Sequence, residues 1–160
     1  MDLLLHTLAV GAGATLVMDV WAVVQRWLFA TPSLDYALVG RWALGMARGQ
    51  FCRTALPAAA PERGERPLGW LLHYGIGMGF ALALVGIAGP GWLAAPTPGP
   101  ALLAGLLALA APWLVMQPAW GLGIAGAKLP APAVARRRSL LTHLVFGLGL
   151  WLSACLLRMI

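Results

Sequence analysis

Apolar residues run almost without interruption from Leu3 to Ala30, and return in three later stretches, at about 68–89, 101–121 and 140–160. About twenty consecutive apolar residues suffice to cross the hydrocarbon core of a bilayer as a helix. None of the four stretches alternates with the period of a half-buried strand. The pattern predicts an all-α integral membrane bundle of four transmembrane helices, at about 3–29, 68–89, 101–121 and 140–160, within one membrane domain over 1–160. Breakers mark the ends. Thr31-Pro32 closes the first span, because a residue before proline avoids the helical region. Pro67 suits the first position of the second, and Gly89-Pro90-Gly91 ends it. Pro112 and Pro118 fall inside the third, and each frees the carbonyl four residues earlier, at Ala108 and Leu114. Ser139 reads as the cap of the fourth.

The connections differ in kind. Residues 34–51 carry Leu34, Leu38, Trp42, Leu44 and Met46 beside Arg41 and Arg48, a pattern that suits a short helix in the membrane interface. Residues 56–67 are dense in proline, glycine and charge, and read as a loop. The second connection, 90–100, holds no charge, and the third is small and basic.

Two motifs recur in the same order. Leu16-Val17-Met18-Asp19 returns as Leu114-Val115-Met116-Gln117, and His73-x-x-x-Gly77-x-Gly79 returns as His143-x-x-x-Gly147-x-Gly149. The first motif lies on spans one and three, the second on spans two and four. This predicts two parallel two-helix half-repeats, about 1–90 and 100–160, related by a pseudo-two-fold axis along the membrane normal.

Composition sharpens the class. The 160 residues are 61% hydrophobic and only 10% charged, where a soluble domain carries roughly 25% charged residues. The net charge of +6 is unevenly spread. Arg41, Arg48, Arg53, Arg63 and Arg66 lie in the first connection, and Lys128 with Arg136, Arg137 and Arg138 in the third. Between apolar spans such clusters read as topology signals and headgroup contacts, not as a nucleic-acid surface; Arg41, Arg48, Lys128 and Arg136 to Arg138 are the candidates. Basic connections stay cytoplasmic, so both termini and the second connection are expected outside, in the periplasm if the source is a diderm bacterium. The bilayer is the expected partner, with a homo-oligomer as a further expectation, since four short spans are few for a transporter. Cys52 and Cys155 form no motif and are not expected to bridge.

Those directions place Asp19, His73, Gln117 and His143 at one depth, in the cytoplasmic half. An acid at that depth is costly and faces a protein interior or a wet cavity. These four are the candidate ligand or proton site, lined by Thr15, Met18, Gly77, Met116 and Gly147. One reading is a hydrogen-bonded structural layer. A second is binding or movement of a proton, metal cation or small polar ligand. A third is a cofactor, haem or a transition metal, held by His73, His143 and Asp19, with glycine four residues after each histidine clearing space beside it. Met18, Met78 and Met116 suit Cu(I), but methionine in an apolar helix is far more often packing. No nucleophilic triad or metalloprotease signature points to an enzyme.

Met18-Asp19-Val20-Trp21, Gly69-Trp70-Leu71-Leu72-His73-Tyr74, Gln117-Pro118-Ala119-Trp120-Gly121-Leu122-Gly123 and Ser139-Leu140-Leu141-Thr142-His143 resemble the bacterial family catalogued as domain of unknown function 2938. The resemblance covers nearly the whole chain. It implies a small multi-pass bacterial membrane protein, and it supplies no activity, cofactor or catalytic residue.

Overall fold

The computed structural model describes residues 2–30, 34–54 and 56–159; the proposed stop at Thr31-Pro32 lies outside them. The described residues form helices and no strand. In chain order these are α1 (Leu3–Phe29), α2 (Tyr36–Met46), α3 (Glu65–Ala88), α4 (Gly91–Ala94), α5 (Pro98–Ala108), α6 (Gln117–Ala119) and α7 (Pro132–Leu157), with a π-helical turn at Ala111–Met116. Four helices among the described residues are long and apolar enough to cross a membrane: Leu3–Phe29, Glu65–Ala88, Pro98–Ala119 and Pro132–Leu157. The chain divides into two compact units, residues 1–33, 74–108 and 140–160, and residues 34–73 and 109–139.

Unit one contains α1, the later part of α3, α4, α5 and the later part of α7. Its core is Val10, Ala14, Ala81, Leu84, Val85, Trp92, Leu93, Ala101, Phe146 and Leu150 with smaller neighbours. Lipid tails are as apolar as leucine, so helices in a bilayer associate by close packing of small residues instead of by hydrophobic burial. The contacts follow that rule. A β-carbon on Gly11 would lie 2.5 Å from the Met78 α-carbon, and one on Gly77 would run into Thr15 Oγ1. A β-carbon on Gly149 would lie 2.9 Å from the Ala14 α-carbon, and one on Gly147 would lie 2.8 Å from the Ala101 carbonyl. These pairings make α1 antiparallel to both α3 and α7, and α5 antiparallel to α7. Buried Thr7 and Thr15 satisfy their hydroxyls on their own helix, donating to Leu3 O and Gly11 O at 2.8 Å. The α4–α5 link is pinned by two indoles: Trp92 Nε1 donates to Thr97 O (3.2 Å) and Trp151 Nε1 to Pro96 O (3.3 Å). Outward-facing Leu16, Val20, Val23, Ile87, Leu103, Leu107, Leu152 and Leu156 are exposed, an apolar surface far beyond what a soluble monomer leaves bare.

Unit two contains α2, the first turns of α3, the π turn, α6 and the start of α7. Asp35 caps α2, accepting from Ala37 N at 3.0 Å. Helices α2 and α3 meet backbone to backbone: β-carbons on Gly40 and Gly69 would collide with Glu65 O and Tyr36 O. Beside that crossing, Arg41 is 5% exposed and pairs with Glu65 through both forks, Nε to Oε2 at 2.6 Å and Nη2 to Oε1 at 2.9 Å. Its Nη1 also donates to Leu56 O (3.3 Å) and Ala59 O (2.6 Å), tying the loop to the helices. The headgroup role expected for Arg41 therefore does not hold: its guanidinium is consumed inside the unit. Glu62 accepts from Arg48 at 2.6 Å and Arg53 at 2.7 Å. Arg53 N donates in turn to Ala119 O (2.8 Å), and Leu56 and Trp120 close a second core with Val39 and Ala119.

One sequence expectation is corrected, and another, the interruption of the third span at its prolines, is met. The fourth long helix begins at Pro132, not Leu140, so Ser139 lies inside it and caps nothing. Proline at a helix start needs no amide partner and presets the backbone, so the segment that read as a basic loop is helical through Arg136 to Arg138. The third span does not run on evenly: α5 ends at Ala108, and hydrogen bonding passes from Trp113 N→Leu109 O to Gln117 N→Pro112 O, one residue wider. The wider turn makes room for the two proline rings, the physical cause of such bulges.

Arg48 and Arg53 hold the Glu62 carboxyl below the usual carboxylate range, chiefly through their hydrogen bonds. A depressed carboxyl contributes stability that is complete above its unfolded value and lost as pH falls through its folded one. The loop at 50–64 is expected to keep its resistance to proteolysis at neutral pH and to lose it as pH drops below the carboxylate range. Glu62→Gln should show the acid-labile behaviour already at neutral pH.

Candidate functional site

In unit one, Asp19 sits half-buried on α1, one turn after Thr15. The Tyr74 hydroxyl on α3 donates to Asp19 Oδ2 at 3.0 Å. Further toward the end of α1, Gln25 Nε2 donates to Thr142 Oγ1 on α7 at 3.3 Å. His143, half-buried, follows Thr142, and its carbonyl occupies the space above Gly105. Asp19, Gln25, Tyr74, Thr142 and His143 thus lie toward the same end of unit one, because α1 runs antiparallel to α3 and α7. Met18 packs on the core beside this polar end.

His73 and Gln117 belong to unit two. The His73 ring stacks on Tyr36, centroids 3.9 Å apart, with Trp70 edge-on to both rings. Gln117 is presented by α6 where the π turn ends, and Met116 packs on the second core. Gln117 Oε1 is buried with no hydrogen-bond partner among the described residues, and so is Trp120 Nε1, one helical turn on. Gly126, at φ +65°, lets the following loop close over this spot; a β-carbon there would lie 3.4 Å from Gln117 Oε1.

The glycines four residues after each histidine do not clear space for a cofactor. Thr15 fills the gap at Gly77, and Ala101 with Leu102 fills that at Gly147. Among the described residues, no three His, Cys, Asp or Glu side chains are grouped to hold a metal ion. The two crossings also differ in register. Thr15 and Gly11 lie one and two turns before Asp19, whereas the residues meeting Gly147 lie more than three turns before Gln117.

The family described as a protein of unknown function (DUF2938) matches residues 8–157. The chain belongs to that family. No curated protein and no solved structure matches it. The match runs from the second turn of α1 to the last residue of α7, so the DUF2938 pattern takes in residues of both units.

Sequence reasoning singled out Asp19 but missed its partner. Tyr74 adjoins His73 in the second motif and lies near the start of a span, where tyrosine ordinarily marks the interface. Gln25 and Thr142 carried no signal beyond being polar within apolar runs. Of the basic residues expected at headgroups, Arg48, Lys128, Arg136, Arg137 and Arg138 are exposed; Arg48 is also bonded to Glu62, and Arg136 Nε donates to Ala125 O at 2.9 Å.

Proposed function

We propose that this DUF2938 protein works in the bacterial cytoplasmic membrane, termini outward and as a homo-oligomer, by binding and passing a proton or small polar cation at Asp19. The observation that supports this reading is the Tyr74–Asp19 hydrogen bond inside an otherwise apolar helix bundle. An intramembrane acid is expensive and usually marks an ion or proton path. A phenol that donates to the carboxylate holds its orientation. When Asp19 takes a proton, that bond loses its charge assistance, so one protonation event has a built-in mechanical partner on α3. Gln25, Thr142 and His143 supply further polar groups toward the same end. Gln117, with an unclaimed acceptor, is the candidate polar contact in unit two.

The test is flux in sealed vesicles containing the purified protein, read with an internal pH dye. Asp19→Asn keeps the shape and removes the charge, and is expected to lower proton flux to that of protein-free vesicles. Tyr74→Phe, which leaves the carboxylate without that donor, is expected to lower flux but leave it measurable. A second reading, a structural membrane subunit, draws on Gly77 and Gly147, whose motifs serve helix crossings. Unchanged flux in Asp19→Asn, or no flux in the parent protein, would leave that reading.

A further inference from the structure

At the opposite end of unit one from Asp19, the start of α1, the residues around α4 and the end of α7 border a cavity of about 550 Å³. A single water takes about 30 Å³ of liquid volume, and sites for drug-sized ligands run from about 300 to 1,000 Å³. Leu3, Leu93, Ala94 and Leu157 give apolar walls. Two polar groups interrupt them. His6 lines the cavity and its Nε2 is buried with no hydrogen-bond partner among the described residues. Arg158, exposed and in no ion pair among the described residues, lines the same space from α7. The nearby carboxylate of Asp2 is engaged with its own helix, accepting from Leu4 N at 3.3 Å.

Arg158 is out of place by the charge pattern. Apart from Arg26 and Arg158, every lysine and arginine falls in unit two. A guanidinium at the end of a lipid-facing helix beside an apolar cleft matches an anion that carries hydrocarbon. Metal is a poor occupant, because the lining holds one imidazole and neither a carboxylate nor a thiol. A small soluble anion would satisfy the guanidinium and leave the apolar walls bare.

We propose that this cavity binds an anionic phospholipid. The phosphate pairs with the Arg158 guanidinium, a geometry that arginine serves through parallel N–H donors. The acyl chains leave along Leu3, Leu4 and Leu156, which are exposed next to the opening. This assignment does not depend on proton or cation movement at Asp19.

The experiment is native mass spectrometry of the full chain in detergent, titrated with phosphatidylglycerol or with zwitterionic phosphatidylcholine. A basic residue near anionic lipid contributes roughly a fivefold preference. Phosphatidylglycerol is expected to bind about fivefold more tightly than phosphatidylcholine, and Arg158→Gln to abolish that preference. Arg63→Gln, which removes an exposed charge from unit two, is expected to leave the preference intact. Equal binding of the two lipids would overturn the proposal, as would an undiminished preference in Arg158→Gln. Displacement of phosphatidylglycerol by millimolar inorganic phosphate would also overturn it, by showing a free-phosphate site. Arg158→Gln is expected to fold as the parent does, since an exposed helix-end side chain is not needed for the core.

Discussion

Arg41→Ala is expected to destabilise unit two by about 3–5 kcal/mol, the range for removing one partner of a buried ion pair. The loss has three sources. The Glu65 carboxylate stays buried at 8% exposure with only the Glu62 N–H, at 2.8 Å, still donating to it among the bonds seen here. The Ala59 carbonyl loses its donor, while Leu56 O keeps the Ala59 N–H at 3.1 Å, and an acceptor left without a partner is costly. The loop they belong to then loses its anchor to α2. Hydrogen exchange in detergent should show the amides of Arg53, Leu56 and Ala59 deprotected before those of α1. The paired replacement Arg41→Met with Glu65→Leu is expected to recover most of the loss, because exchanging both charges for apolar groups leaves no unpaired ion. A single mutant within about 1 kcal/mol of the parent would mean that solvent reaches the pair.

Gly11→Ala is the second large expected effect, at about 1–3 kcal/mol, the usual cost of forcing extra volume into a packed core. The new methyl would sit 2.5 Å from the Met78 α-carbon and 3.0 Å from the Ala81 β-carbon. Backbone cannot rotate aside as a side chain can, so α1 and α3 must separate along their crossing. Gly79→Ala is the control, because a β-carbon there meets nothing within 4 Å. It is expected to be neutral, or stabilising by up to about 1 kcal/mol through helix propensity. Denaturant titration of both variants in one detergent checks the pair, and equal stabilities would refute the close crossing.

What could be read from the chain divides along physical lines. The apolar runs were legible because nothing soluble tolerates them, and α1 falls where the pattern put it. The start of α7 was not legible. Arg136 to Arg138 look like a solvated loop, and only the backbone shows that Pro132 opens a helix beneath them. The Arg41–Glu65 pair was invisible for another reason: residues 24 positions apart in a breaker-rich region announce no partner. Asp19 stood out because an acid in an apolar run is improbable by chance. Tyr74 did not, because tyrosine near a span end has an ordinary explanation. That Asp19 and His143 fall in one unit while His73 and Gln117 fall in the other is a matter of tertiary packing, which motif order does not encode.

The bond from Arg53 N to Ala119 O has a consequence for the order of assembly. Unit two is built from two chain segments separated by the later part of α3, α4 and α5. While the ribosome is making those intervening residues, α2 and the loop after it have the Arg41–Glu65 pair but lack the surface on which Leu56 and Val39 close. Trp120 and Ala119 arrive some sixty residues later and complete that core. The early half must therefore wait, partly formed, for a late piece, and contacts so far apart in sequence are slow to make. Unit two closes only after Ala119 and Trp120 have been made, and until then the charged loop lacks part of its packing and is open to proteases and chaperones.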